Sequence, residues 1–162
     1  MAKWIIGSGL DDYLAQLQEL EEKTEDIMKK AIYEGAAIVA TEIRSATKAI
    51  PVDSGMGTQH NKLNGVNKVQ KAGLLDGLGI APMKEEGLGW NTKIGFDGYN
   101  SMRTKKYPSG QPNALIARSV ESGTSFRAPH PFVDPAARKA KAKAENAMET
   151  SIDTSIQAIV KE

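Results

Sequence analysis

Apolar residues recur at spacings of three and four through the first third of the chain: Leu10, Tyr13, Leu14, Leu17, Leu20, Ile27, Met28, Ala31, Ile32, Ala36, Val39 and Ile43. That period marks an amphipathic helix from Leu10 to about Lys48. Ile50-Pro51 stops it, because the residue before a proline is pushed out of the helical region. With a rise of 1.5 Å per residue, such a helix is about 55 Å long. A compact globule built from this length of chain is only about 40 Å across. Either Gly35 kinks the helix or one end projects past its own core. Projection favours an assembly.

The rest of the chain is punctuated more densely. Residues 3–7 are expected to form a short strand broken by Gly7-Ser8-Gly9, with Ser8 and Asp11 as a loose capping pair. Residues 52–73 hold Gly55, Gly57, Asn61, Asn64, Gly65, Asn67 and Gly73 and few large apolar groups. They are expected to form a long mobile loop, of the kind that is functional or orders on binding. Leu78 and Ile80 mark one side of a strand within residues 74–81. Trp90, Thr92, Ile94 and Phe96 alternate with polar or small residues as a second strand, leaving residues 83–89 as the hairpin loop. A polar, basic loop follows over residues 101–113. Residues 114–122 then form a short helix, with Gly123 at its terminating position.

Past Gly123 an extended run carries Pro129, Pro131 and Pro135 and ends at Asp134-Pro135. Aspartate is a good N-cap, and proline fits the first helical position, where its missing N–H had no partner. The closing helix is predicted from about Pro135 to Val160. Its start is alanine-rich and basic, and its end carries Met148, Ile152, Ile156 and Ile159 as an apolar stripe. The segment sets the direction of a helix, and nothing in it is arranged for catalysis.

At 162 residues the chain is expected to form one domain over residues 1–162. Hydrophobic content of 40% with only 6% aromatics and 15 glycines predicts a thin core and numerous loops. No apolar stretch approaches the ~20 residues of a membrane helix, and residues 3–6 are too short for the apolar part of a signal peptide. A cytosolic origin is the simplest expectation. With no cysteine there is neither a disulfide nor a thiolate metal site. The net charge of +1 hides an asymmetry. Asp11, Asp12, Glu19, Glu21, Glu22, Glu25 and Asp26 face only Lys23 along the first helix, whereas Arg138, Lys139, Lys141 and Lys143 form a basic run. Beyond a plain solvated surface, that pattern suits head-to-tail contact between copies.

Candidate chemistry is sparse. Gly7-Ser8-Gly9 lacks the third glycine of a dinucleotide fingerprint and the Gly-Lys-Ser/Thr of a P-loop, and Asp11 and Asp12 occupy the helix end where a phosphate would sit. A metal or hydrolytic site would need His60 and His130 with Asp53, Glu85 or Glu86, at no recognised ligand spacing. No nucleophile–base arrangement is present, so neither an enzyme nor a cofactor is expected. The basic run spreads around its helix without interleaved aromatics, which leaves at most weak, non-specific attraction to DNA.

Several motifs together resemble the head–tail connector or tail-completion family of long-tailed phages, the neck and tail-component proteins. They are the alanine-rich half-helix Gly35-Ala36-Ala37-Ile38-Val39-Ala40, then Ile50-Pro51-Val52-Asp53-Ser54-Gly55, and the hairpin segments Lys71-Ala72-Gly73-Leu74-Leu75-Asp76-Gly77-Leu78-Gly79-Ile80 and Lys93-Ile94-Gly95-Phe96-Asp97-Gly98-Tyr99. Most specific are Glu121-Ser122-Gly123-Thr124 and Pro129-His130-Pro131-Phe132-Val133-Asp134-Pro135-Ala136. Residues 56–71 are an insertion relative to that family's pattern. The resemblance implies an α+β fold, a small antiparallel sheet packed against a long N-terminal helix and a C-terminal helix. It implies a structural virion protein at the head–tail junction, resident in the host cytoplasm before assembly. Copies would form a ring, commonly six-fold, contacting portal-side adaptor and tail proteins, with no catalysis and no membrane. A tail terminator is the neighbouring alternative, and a small nucleic-acid-binding module the alternative from another class. The interface and structural residues expected are Pro51, Gly55, Glu121, Gly123, Thr124, Pro129, Pro131, Phe132 and Pro135.

Overall fold

The computed structural model describes residues 8–87 and 89–160. The strand expected over residues 3–7 lies outside them; of the break expected at Gly7-Ser8-Gly9, Ser8 and Gly9 belong to the first turn of a helix. Four helices and four short strands follow in order: α1 Ser8–Ala49, α2 Lys68–Gly77, β1 Leu78–Ile80, β2 Lys84–Glu86, β3 Gly89–Asn91, β4 Ile94–Phe96, α3 Asn113–Ser122 and α4 Val133–Ile159. The fold is α+β, with β1 paired antiparallel to β4 and β2 to β3.

Helix α1 runs unbroken through Gly35. A Cβ there would stand 2.6 Å from Cγ and Sδ of Met148, so Gly35 lets α4 approach. On the facing side Ala136, Ala140 and Ala144 are buried at four-residue spacing, a row of small side chains that keeps the two axes close. The alanine-rich start of α4 is therefore an interface with α1. Glu42 meets Lys139 and Gly35 meets Met148, which makes the pair antiparallel. On that register α4, ending at Ile159, runs out near the level of Lys23. The first turns of α1 extend past α4, and Leu10, Tyr13, Leu14 and Leu17 are 44–55% exposed.

The core sits at the other end of α1. Ile50, Val66, Leu74, Ile116, Ala117, Val120 and Phe132 form one buried cluster, and Ile43, Leu78 and Ala136 extend it under the sheet. The rings of Phe96 and Phe132 pack tilted at 53°, 5.8 Å apart.

Three expectations need correction here. Residues 52–73 contain more than a loop, since α2 begins at Lys68. Its N-cap Asn67 and Gln70 form a reciprocal capping box, a signal that the surrounding glycines and asparagines obscured. The strand expected over residues 74–81 is helix as far as Gly77 and strand only from Leu78. The single strand expected from Trp90 to Phe96 is divided, and the intended hairpin loop contains β2. Ile80 pairs with Ile94 and Lys84 with Asn91, so three residues, Ala81 to Met83, oppose two, Thr92 and Lys93. That one-residue bulge shifts the register and re-aims the outer hairpin toward α1. There Lys29 Nζ stands 3.9 Å over the Trp90 ring, and the Met83 N–H donates to the Tyr33 hydroxyl at 3.2 Å.

Candidate assembly interface

The elbow between α3 and α4 is built from its caps inward. Gly123 ends α3 at φ +72°, a conformation open to glycine, and a Cβ there would press on Pro129 at 2.9 Å. The Thr124 Oγ1 accepts the Arg127 N–H at 3.1 Å, while the Thr124 N–H donates to the Arg127 carbonyl at 2.9 Å, closing a tight turn. The His130 N–H returns to the Val120 carbonyl at 2.7 Å.

The start of α4 departs from expectation. The helix begins at Val133, with Phe132 at the N-cap position and no capping side chain of its own. Asp134 lies inside the first turn. The orphan donors are met from α3: Glu121 Oε2 accepts the N–H groups of Phe132 (2.7 Å) and Val133 (2.9 Å), and Oε1 accepts that of Asp134 (3.2 Å). A carboxylate at a helix N-terminus also meets the positive end of its dipole. Partial burial pushes the Glu121 carboxyl up, but the three N–H donors, with His130 nearby, outweigh it and hold the group below its ordinary value. The last turn of one helix thereby caps the first turn of the next.

Residues 52–67 are tied to this elbow. Val52 bridges Val66, and Leu63 bridges Arg127, with the Leu63 N–H on the Phe126 carbonyl and the Ala128 N–H on the Leu63 carbonyl, both at 2.9 Å. Asp53 accepts from the N–H groups of Gly55 and Asn64 at 2.9 Å each, which lowers its carboxyl pKa. Gly65, at φ +136°, turns where a Cβ would sit 2.1 Å from the Pro51 carbonyl oxygen.

Arg127 closes the junction, and nothing in the sequence marked it. Its side chain is buried, with Nη1 donating to Ser119 Oγ (2.8 Å) and Nη2 to Gln70 Oε1 (3.1 Å), so one guanidinium joins α2, α3 and the elbow. Burial lowers its pKa and the charge of Asp53 opposes that. Nε has no hydrogen-bond partner.

The structure gathers Glu121, Gly123, Thr124, Pro129, Phe132 and Pro135 along the elbow and sets Pro51 and Gly55 in the adjoining segment. Phe132 is core; Pro129, Pro131 and Pro135 are surface. Phe126 and Met56, 46% and 91% exposed, were not singled out by the sequence. His60 is exposed, and His130 is held through its backbone. Among the described residues no group of three His, Cys, Asp or Glu could hold a metal ion, and no helix is long and apolar enough to cross a membrane.

A second surface lies between the long helices. Ala37, Ile38, Thr41, Glu42, Lys139, Ala140 and Lys143 line an open groove of about 370 Å³. Among the described residues, Arg138 and Lys143 on the α4 side take part in no ion pair, and the same holds for Asp11, Asp12 and Glu21 on the free end of α1.

Comparison with known proteins gives one family. The sequence profile of the family described as "Bacteriophage HK97-gp10, putative tail-component" matches residues 11–107. No curated protein and no solved structure matches the chain.

Proposed function

From the premise that this chain belongs to the HK97-gp10 family of phage tail components, a structural family, we propose that it is a ring-forming subunit at the head–tail junction. On this reading the chain acts as one domain, and copies close around the axis through which DNA passes. Its faces meet an adaptor on the head side and tail proteins below. It works by shape, without catalysis or cofactor. The observation that carries the proposal is the free end of α1, where four large apolar side chains stand unburied on a helix extending past its partner. The elbow supports it: Glu121, Gly123, Thr124 and Phe132 hold α4 at a set angle, and Pro129, Pro131 and Pro135 present a stiff outer surface.

Electron microscopy of the concentrated protein tests the reading. A closed annulus is expected; particles that stay single at every concentration, and within finished virions, would overturn it. The tail-component description of the family favours a second reading, a terminator ring on the tail tube. Retention on purified DNA-filled heads identifies the junction ring, and retention on free tails the terminator.

A further inference from the structure

We propose that the free end of α1 from one copy seats in the α1–α4 groove of a second copy, joining subunits head to tail; this rests on the assembly reading above. The two surfaces match in shape. Leu10, Tyr13, Leu14 and Leu17 lie along one face of α1. The groove floor is low, formed by Ala37, Ile38 and Ala140, so a third helix bearing leucines can come close.

They also match in charge. Asp11, Asp12 and Glu21 are exposed at the free end, outside any ion pair among the described residues. Lys139 and Lys143 rim the groove, with Arg138 beside them; the one carboxylate there, Glu42, is engaged by Lys139 at 2.5 Å. Two free ends laid together would set acid against acid, which disfavours a symmetric pairing through this element. Nor can the free end reach its own groove. Leu14 and Ala37 lie on the same unbroken helix, about 35 Å apart at 1.5 Å per residue. The occupant must come from another copy, and such a contact, using two different surfaces, propagates from copy to copy and gives a ring where its rotation closes.

The test uses two full-length variants. Lys139→Glu with Lys143→Glu makes the groove acidic; Asp11→Lys with Glu21→Lys makes the free end basic. All four positions are exposed, and Lys139→Glu also gives up the surface pair with Glu42, so the melting temperature is expected to fall by no more than about 2–4 °C and to report folding. Sedimentation velocity of each variant alone should show association weakened about tenfold or more, since each sets like charge against like. Mixing the two should restore assembly, because each free end then meets a groove of opposite sign. A third variant, Leu14→Asp with Leu17→Asp, should fold and fail to associate in any mixture.

Assembly of either charge variant alone at the native level, or no recovery on mixing, overturns the groove as the docking site while leaving the ring intact. Loss of assembly in the leucine variant alone, with both charge variants unaffected, places the free end on another surface and likewise overturns it. A native chain that never associates overturns this inference and the ring together.

Discussion

The two ends of α1 are made differently. Its C-terminal end, Ile43 to Ile50, enters a cluster in which Ile50, Val66, Leu74 and Val120 are fully buried. There the backbone groups of the neighbouring segments are met by Glu121, Asp53 and the Thr124 turn. Its N-terminal end carries side chains of the same chemical kind, yet leaves them half in water. Burial of a leucine is worth about 1.5–3 kcal/mol. The closed end has realised that stabilisation within the subunit; in the assembly proposed above, the open end would realise it in a contact with another copy. On that proposal stability and assembly are carried by separate stretches of a single helix.

Mutations that separate the ends test this directly. Phe132→Ala should cost about 3–5 kcal/mol in denaturant unfolding, because the ring is buried against Phe96 and the core. Gly65→Ala should cost about 1–3 kcal/mol, since an alanine is strained at that φ and its Cβ meets the Pro51 carbonyl. Glu121→Ala should cost about 0.5–2 kcal/mol by uncapping α4. Leu17→Ala at the open end should stay within about 0.5 kcal/mol of the native chain. A loss at Leu17 as large as that at Phe132 would erase the distinction.

The closed end should also be the acid-sensitive one. Glu121 has a folded pKa below its ordinary 4.5, so the folded state holds the proton less tightly than the unfolded one. Its stabilisation is present above that ordinary value and is lost as pH falls through the lower folded value. Asp53 has the same sign. Glu121→Gln should therefore flatten the fall in melting temperature below about pH 4.5 without abolishing it. An unchanged slope would show that the carboxylate charge contributes nothing.

What the residue pattern disclosed, and what it hid, divides by distance along the chain. The length of α1 and the end of α3 at Gly123 follow from neighbours a few residues apart, whereas the α+β class was what the family resemblance implied. The Asn67–Gln70 box was equally local, but glycine and asparagine around it favoured a loop, where they in fact serve turns such as the one Asp53 closes. Helix α4 gained its start from Glu121, eleven residues upstream of Phe132, so Asp134 lost the capping role its own position favoured. Arg127 was hidden for the same reason. Its partners Ser119 and Gln70 sit on two other helices, and a buried guanidinium has no periodic signature. The split of the second hairpin strand came from Pro82 lying opposite a shorter segment, a mismatch visible only once both strands are paired.

The continuity of α1 through Gly35 has a mechanical consequence. A helix with an uninterrupted hydrogen-bond ladder transmits tilt as well as position: rotating its outer tip by a few degrees must either rotate the buried half or break packing against Met148. In the assembly proposed above, whatever grips that tip would receive a bearing and not only a tether, and a change to Gly35 would be felt far away, as an altered angle between neighbours.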